Sequence, residues 1–173
     1  METLANNLLI IIKIMKVKIK LLNENAVIPF KKHPEEDACY DLVATSCKYN
    51  PEKDRYEYGL GFATEFSPEW EAEIRPRSTN TKKDVYIPNA PCTIDSNYRG
   101  EWLIMFKNRL PFYMLFPTGN KEENIKHMLE IAPYQVGEAI AQVKLNRVEK
   151  TEWILSDELS DTSRGTDGGL VRK

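Results

Sequence analysis

One acidic residue lies in a short polar segment that has the composition of a ligand-binding loop. Residues 89–101 read NAPCTIDSNYRGE, with strand-forming runs on both sides. We expect this segment to form a hairpin-like loop whose main chain faces a ligand, where Asp95 could orient and deprotonate a water molecule. The alternative is that Asp95 and Asn97 only cap a tight turn, as Asx residues often do. Taken alone, the segment favours the capped turn.

A second segment has the residue types of a phosphate clamp. Residues 74–80 read IRPRSTN, so two arginines flank a proline and are followed by the hydroxyl pair Ser78 and Thr79. Guanidinium groups form bidentate bonds with phosphate oxygens, and a serine hydroxyl adds a neutral donor. A solvated loop would have the same composition, and that alternative stays open.

Asp41 is an acid within an otherwise apolar strand-like run, residues 37–44 (DACYDLVA). A carboxylate is costly to bury unless it is paired or hydrated. Asp41 could therefore accept an arginine in a structural ion pair, or it could hold the water shell of Mg²⁺, an ion that keeps several of its waters.

Two further segments carry weaker signals. In residues 137–145 (GEAIAQVKL), Gln142 is the polar residue most suited to face a ligand, although an ordinary half-exposed strand would look the same. Near the end of the chain, residues 162–170 (TSRGTDGGL) place glycines next to Arg164. Such a backbone can close over phosphates, and the alternative is simple disorder.

The composition is that of an ordinary globular domain. The chain has 173 residues, 42% of them hydrophobic and 29% charged, with a formal net charge of −2. This balance argues against a protein that coats nucleic acid, and none is expected as a partner. The three cysteines are odd in number and form no C-x-x-C pair, which indicates a reducing, cytoplasmic setting. With two histidines far apart, a zinc site is disfavoured, and Mg²⁺ is the expected metal.

The elements that must position these residues are predicted to be short strands. Residues 16–21 (KVKIKL) alternate with period two, and similar runs follow, separated by Pro, Gly and Asn: 40–44, 56–62, 70–74, 85–87, 101–106 and 139–145. Long amphipathic helices do not alternate with them, so the prediction is an all-β, mainly antiparallel fold such as a jelly roll. Residues 120–131 are predicted to form one short surface helix inside an insertion, 109–135. The aromatic segment 111–117 at its start must pack on its own subunit or on a neighbour.

The chain is therefore expected to be one β domain, residues 15–160, with an extension at each end. Residues 8–15 (LLIIIKIM) are too short and contain a lysine, so they do not predict a membrane span. Residues 1–14 either precede a natural start at Met15 or form an extra strand or arm. Residues 161–173 are small, polar and Gly-rich, and are predicted to be a flexible arm.

Together and in order, these segments resemble a known set of motifs. Residues 38–42, 75–78, 89–101, 137–142 and 164–169 resemble the five ordered motifs of the trimeric dUTPases, and the resemblance covers residues 16–169. It implies a distorted jelly-roll, or β-clip, barrel that assembles as a homotrimer with active sites shared between subunits. It also implies Mg²⁺-dependent hydrolysis of dUTP to dUMP and diphosphate.

The resemblance assigns a role to each matched residue. Asp95 would activate the water that attacks the α-phosphorus, Tyr98 would pack on the deoxyribose and exclude a 2′-hydroxyl, and Asp41 would meet Mg²⁺ through water. The other implied residues bind the uracil edge or the phosphates: Arg77, Ser78, Thr79, Asn89, Thr93, Ile94, Gln142 and Arg164.

The chain departs from the family pattern at three places. Cys92 stands where the family usually has glycine, and residues 79–83 (TNTKK) replace the commoner Gly-Leu-Ala. The tail has Gly169 or Leu170 where family members carry an aromatic residue that stacks on uracil. Because base stacking contributes roughly 1–3 kcal/mol, its loss predicts a weaker or slower closure of the arm.

Two other functions stay open. A dCTP deaminase has the same fold, but Tyr98 and the following Arg-Gly-Glu match the dUTPase motif better. The altered tail and the insertion would also suit a nucleotide-binding regulatory homologue with weak turnover.

Overall fold

In a computed structural model, residues 14–110, 120–161 and 163 can be described. Arg164, the aromatic segment 111–117 and residues 1–13 lie outside these ranges. The described chain contains short strands, one 3₁₀ turn and one α-helix. In chain order they are β1 (Lys18–Leu21), β2 (Tyr40–Val43), β3 (Ser46–Asn50), β4 (Arg55–Gly59), β5 (Phe62–Glu65), β6 (Trp70–Pro76), the 3₁₀ turn (Ser78–Lys82), β7 (Val85–Tyr86), β8 (Cys92–Ile94), β9 (Leu103–Asn108), α1 (Lys121–Glu130) and β10 (Ala139–Arg147).

The strands form two four-stranded sheets and one two-stranded ribbon. One sheet has the order β2-β10-β6-β8, the other β3-β4-β9-β7, and the ribbon pairs β1 with β5. Every pairing is antiparallel. The prediction of a mainly antiparallel all-β fold with one inserted helix is confirmed.

The core is a single cluster to which both four-stranded sheets contribute. Alternate residues of β4, β6 and β9 face it, as a period-two pattern predicts: Tyr56 and Tyr58 on β4, Ile104 and Phe106 on β9, and Ile74 on β6 are at most 2% exposed. The Tyr58 and Phe106 rings meet edge to face, 5.7 Å apart between centroids, a favourable geometry for aromatic pairs.

The predicted strand over residues 56–62 is wrong in one respect, because it is two strands. Gly61 has a φ of +71°, which ends β4 and lets β5 begin in the ribbon. The positive φ disfavours any residue with a side chain there, and a Cβ on Gly61 would also displace the Asn23 side chain, whose nitrogen would lie 2.5 Å away. Strands β3 and β8 were not predicted, because SCKYN and CTI are short and largely polar.

The predicted helix over residues 120–131 is confirmed as α1. Asn120 caps its N-terminus by accepting a hydrogen bond from the Glu122 amide at 2.9 Å. The description as a surface helix is incomplete, because Met128 is fully buried and its carbonyl accepts a hydrogen bond from the Tyr56 hydroxyl at 3.0 Å. The helix lies on the surface, as predicted, and is anchored to the core through Met128. Among the described residues, no helix is long and apolar enough to cross a lipid bilayer.

Met128→Ala should destabilise the protein, because truncation leaves a cavity in a well-packed site. The expected loss is about 2–5 kcal/mol in the free energy of unfolding. Chemical denaturation at fixed protein concentration measures it. The matched control is Leu129→Ala on the same helix, where the side chain is 37% exposed and the loss should be smaller. Equal losses for the two variants would show that α1 is not anchored through Met128.

Candidate functional site

Four of the predicted site residues lie together at one cavity of about 390 Å³. We call it the Arg77 cavity, and Asp41, Arg77, Ser78 and Gln142 are among its lining residues. Strand β10 brings them together, since it pairs with β2 on one side and with β6 on the other, placing Gln142 opposite both Asp41 and Arg75. Arg77 follows directly after β6.

Arg77 and Asp41 form a bidentate ion pair at this cavity. The guanidinium Nε lies 2.9 Å from Asp41 Oδ1, and Nη2 donates to Oδ2 at 3.1 Å. Nη1 donates to the Ala139 carbonyl at 2.9 Å, which fixes the plane of the group. A guanidinium has five N–H groups, so these three contacts leave donors for a ligand. Of the two alternatives for Asp41, the structure shows the arginine pair.

Gln142 and Ser78 complete the polar wall of the Arg77 cavity. The Gln142 amide donates to the Pro76 carbonyl at 3.0 Å, which orients its oxygen. Ser78 begins the 3₁₀ turn and is exposed. Thr79 is not a lining residue of this cavity. It lies in a neighbouring groove with Lys83 and Tyr134.

The cavity also contains residues that the sequence analysis did not single out. Lys32, His33 and Asp37 reach it from the loop before β2. The His33 amide donates to Asp37 Oδ2 at 2.8 Å, which folds this loop against the cavity. The basic run Lys31-Lys32-His33, directly before the segment 37–44, was the available signal.

The remaining predicted residues of the described chain lie on and around β8. This strand is at the edge of its sheet among the described residues, paired on one side with β6 through Ile74–Cys92, Glu73–Thr93 and Ala72–Ile94. An edge strand presents main-chain N–H and C=O groups that a ligand can bind. Thr93 therefore lies where such groups are accessible.

Asp95 is the first residue after β8 and is exposed. Its carbonyl accepts a hydrogen bond from the Tyr98 amide at 3.1 Å, which closes a turn. The Tyr98 hydroxyl donates to the Glu101 carbonyl at 3.0 Å, and a Cβ on Gly100 would lie 2.5 Å from that hydroxyl. Glycine at position 100 is thus required for the ring to fold back over the loop.

The loop is attached to the body of the protein at its far end. Glu101 Oε1 accepts a hydrogen bond from the Gly61 amide at 2.8 Å. Arg99 donates to the Ser96 carbonyl at 2.6 Å and to the Thr64 carbonyl at 3.4 Å. These bonds attach residues 95–101 to the body of the protein, so the main chain that carries the Asp95 carboxylate is held in place.

Cys92 and Asn89 meet at the start of β8. Burial raises the pKa of the Cys92 thiol, and a hydrogen bond with the Asn89 side chain partly opposes that rise. Cys92 is half buried and pairs with Ile74 in the regular β6–β8 ladder.

The structure separates the predicted residues into two groups at opposite ends of β6. Because β8 runs antiparallel to β6 with Ile94 opposite Ala72, Asp95 extends away from the end that carries Arg77. Arg77 lies six positions after Glu71 along an extended chain, or about 20 Å away at roughly 3.3 Å per residue. Asp95 and Arg77 of one chain are thus too far apart to contact the same phosphate group.

Comparisons with known proteins agree on the family. No protein-family model matches the chain. The deoxyuridine 5′-triphosphate nucleotidohydrolase of Nautilia profundicola is 35% identical over 155 residues, covering 89% of this chain and 96% of its own length. That of Helicobacter hepaticus is 32% identical over 166 residues, covering 93% of each chain.

Solved structures agree on the fold. A variant of the Staphylococcus bacteriophage 80alpha dUTPase with dUpNHpp has a TM-score of 0.64 at 21% identity, covering 87% of this chain and 94% of its own. A phage phi11 dUTPase variant described with a structural Mg(II) ion has a TM-score of 0.61 at 18% identity, covering 84% and 99%.

The fold is thus that of a jelly-roll-like antiparallel β protein, and the curated relatives are nucleotide hydrolases. The chain belongs to the deoxyuridine 5′-triphosphate nucleotidohydrolase, or dUTPase, family. The family expected from the sequence is therefore confirmed.

Alkylation of Cys92 should require a higher pH than that of an exposed cysteine. In a Cys39→Ser, Cys47→Ser variant, Cys92 is the only thiol. Because burial raises its pKa, the thiolate forms late, and the iodoacetamide rate should reach half its maximum above the ordinary pH of about 8.5. The same variant in urea should return to the ordinary midpoint. A folded-state midpoint at or below that of the urea sample would contradict the burial of this thiol.

Proposed function

We propose that this protein hydrolyses dUTP to dUMP and diphosphate at a site built from both groups of residues. One observation carries the proposal: a chain of the dUTPase family has an edge-strand loop with an exposed carboxylate and, separately, a cavity with a pre-oriented guanidinium. A nucleoside triphosphate needs both, one for the base and the reacting phosphorus and one for the phosphate chain.

The loop after β8 binds the nucleoside half. Main-chain groups around Thr93 and Ile94, with the Asn89 side chain, pair with the uracil edge, which is supported by the edge position of β8. Cytosine presents the opposite donor and acceptor pattern at the same positions and is rejected. The Tyr98 ring packs on the deoxyribose and leaves no room for a 2′-hydroxyl.

The Arg77 cavity binds the phosphate half. Arg77 offers its remaining N–H groups, Ser78 its hydroxyl and Gln142 its amide, and Thr79 contributes from the adjoining groove. Lys32 adds a further positive charge at the cavity wall. Arg164, which is outside the described residues, comes over with the C-terminal arm and neutralises the terminal phosphate.

Asp95 is the general base. Its carboxylate orients a water molecule and takes a proton as the water oxygen attacks the α-phosphorus. The bond from this phosphorus to the bridging oxygen breaks, and diphosphate leaves with the electron pair. A fixed base of this kind typically contributes about 10²–10⁴-fold to the rate.

The donor set suits Mg²⁺ held mainly by the substrate. Among the described residues there is no cluster of three or more His, Cys, Asp or Glu side chains that could hold a metal. Mg²⁺ does not need such a cluster, since it commonly keeps several waters and binds one carboxylate plus substrate phosphates. Asp41 retains lone pairs beyond those used by Arg77 and would meet the ion through water. When bound, the ion neutralises charge that develops on the phosphate oxygens.

The active unit is a homotrimer in which each site takes Asp95 from one subunit and Arg77 from another. The separation of these residues along β6 supports this arrangement. So do the exposed apolar side chains after β10: Trp153, Ile154, Leu155 and Leu159 are 80–97% exposed in the single chain. Such a segment is typical of one that is covered in an assembly. The three free cysteines suit a cytoplasmic enzyme.

The wild-type protein with Mg²⁺ should release diphosphate from dUTP. Asp95→Asn should lower the rate of this release by about 10²–10⁴-fold, because the attacking water loses its general base. Diphosphate release and dUTP binding are measured separately, and binding should persist in Asp95→Asn. Glu69→Gln is the control, since it neutralises an exposed carboxylate elsewhere.

Ammonia release from dCTP would overturn the proposal in favour of a deaminase. Binding of dUTP without turnover in the wild type would favour a regulatory protein.

Mixing two inactive variants should restore activity if sites are shared. Asp95→Asn and Arg77→Ala chains, refolded together in equal amounts, should recover about a quarter of the wild-type rate. Random assembly makes about three quarters of the trimers mixed, and in each mixed trimer one of the three interfaces has both intact groups. Each variant refolded alone is the control. Lack of recovery in a mixture that forms trimers would place both groups of a site in one chain.

A further inference from the structure

Tyr134 lies where the inserted segment returns to the β domain, and it is held there on several sides. Its side chain is 4% exposed. Its amide donates to the Tyr58 hydroxyl at 3.2 Å, and the same hydroxyl donates to the Tyr134 carbonyl at 3.0 Å. Its ring packs on Phe106, with centroids 5.1 Å apart. Both the main chain and the ring of Tyr134 are therefore fixed by the core strands β4 and β9.

From this position Tyr134 reaches the 3₁₀ turn that carries Ser78. The Tyr134 hydroxyl donates to Asn80 Oδ1 at 3.0 Å, and the Asn80 amide group donates onward to the Val85 carbonyl at 3.3 Å. Lys83, directly after the turn, donates to the Pro133 carbonyl and places Nζ 4.7 Å from the centre of the Tyr134 ring. The turn is thus attached at both Asn80 and Lys83.

Asn80 also connects this attachment to Arg77. The main-chain N–H of Asn80 donates to the Arg77 carbonyl at 2.9 Å, and the main-chain N–H of Lys83 donates to the Asn80 carbonyl at 3.1 Å. Ser78 lies between the two bonded residues, and no residue of the turn is buried. An exposed turn without a hydrophobic anchor depends on such bonds for its conformation.

We propose that Tyr134 is a positioning residue for the Arg77 cavity: its hydroxyl fixes Asn80, and through Asn80 it holds the Arg77 main chain and the Ser78 hydroxyl in place to bind the substrate phosphates. This rests on the proposed function only in that Arg77 and Ser78 bind phosphate. It gives the insertion, residues 109–135, a role in the site, because its last part braces the turn.

Tyr134→Phe tests this role, because it removes the hydroxyl and keeps the ring that packs on Phe106 and Lys83. The probe is inorganic tripolyphosphate, with its dissociation constant measured by calorimetry on the full-length protein. Loss of one hydrogen bond from a pre-organised site should weaken binding about three- to tenfold. In dUTP hydrolysis, KM should rise by a similar factor while kcat changes by less than about twofold, since the nucleoside half is untouched.

Tyr56→Phe is the matched control. It also removes a buried tyrosine hydroxyl bonded to the inserted segment, at the Met128 carbonyl, but it does not touch the turn. Tripolyphosphate binding by Tyr56→Phe should equal that of the wild type. Amide hydrogen exchange at Asn80 and Lys83 should accelerate in Tyr134→Phe and not in Tyr56→Phe.

The outcomes separate this inference from the proposed function. Unchanged tripolyphosphate binding in Tyr134→Phe, equal weakening in Tyr56→Phe, or no binding by the wild type would each overturn the positioning role. Weakened binding in Tyr134→Phe alone supports it. That support holds even if the wild type fails to hydrolyse dUTP, a result that would remove only the proposed reaction.

Discussion

Strand β6 is hydrogen-bonded on both sides, to β10 and to β8, and these two ladders determine where the site residues of this sheet lie. The β10 ladder brings Gln142 and, through β2, Asp41 to the end of β6 that precedes Arg77. The β8 ladder directs Asp95 towards the other end. A shift of one residue in the β10 register would turn Gln142 to the opposite face of the sheet, and the same shift in the β8 register would do so to the residues that lead to Asp95, so each ladder determines one of the two groups. The two-part arrangement of the site is therefore a property of the backbone pairing before any side chain contributes.

Within the cavity, the Arg77–Asp41 pair contributes more to organisation than to stability. Both side chains keep 22–29% of their surface exposed, so solvent screens much of their attraction, as in most ion pairs near a protein surface. What the pair fixes is direction: two contacts with Asp41 and one with the Ala139 carbonyl determine the plane of the guanidinium. Because the guanidinium is already oriented, the Arg77 side chain would lose less conformational entropy when it binds an anion. Asp41 also offsets the positive charge of Arg77.

The sequence predicts the parts of this molecule that depend on local pattern. Alternating runs such as the one that became β10 were recognised, and so was the helix that Asn120 caps, because period and capping are short-range properties. Strand β8 is three residues long and gains its conformation from pairing with β6, so no local signal marks it. The break at Gly61 was also missed, because a glycine inside a strand-like run does not reveal the sign of its φ. The motif residues were recognised through their resemblance to a family, but the pairing of Arg77 with Asp41 depends on strand order, which a single sequence does not contain.

Under the proposed function, the C-terminal arm affects binding of the base and the insertion affects binding of the phosphates, and the first makes the second more important. The arm carries Gly169 or Leu170 where the resemblance to the family implies an aromatic residue that stacks on uracil. The proposal then makes base recognition depend more on the main chain of β8 and gives the phosphate half a larger share of the affinity. That half is built on an exposed 3₁₀ turn with no buried residue of its own. Tyr134 supplies the missing anchor from the core, through Asn80. A chain that has lost stacking energy at one end of its ligand gains most from rigidity at the other, because each donor already in place saves the entropy of ordering it on binding.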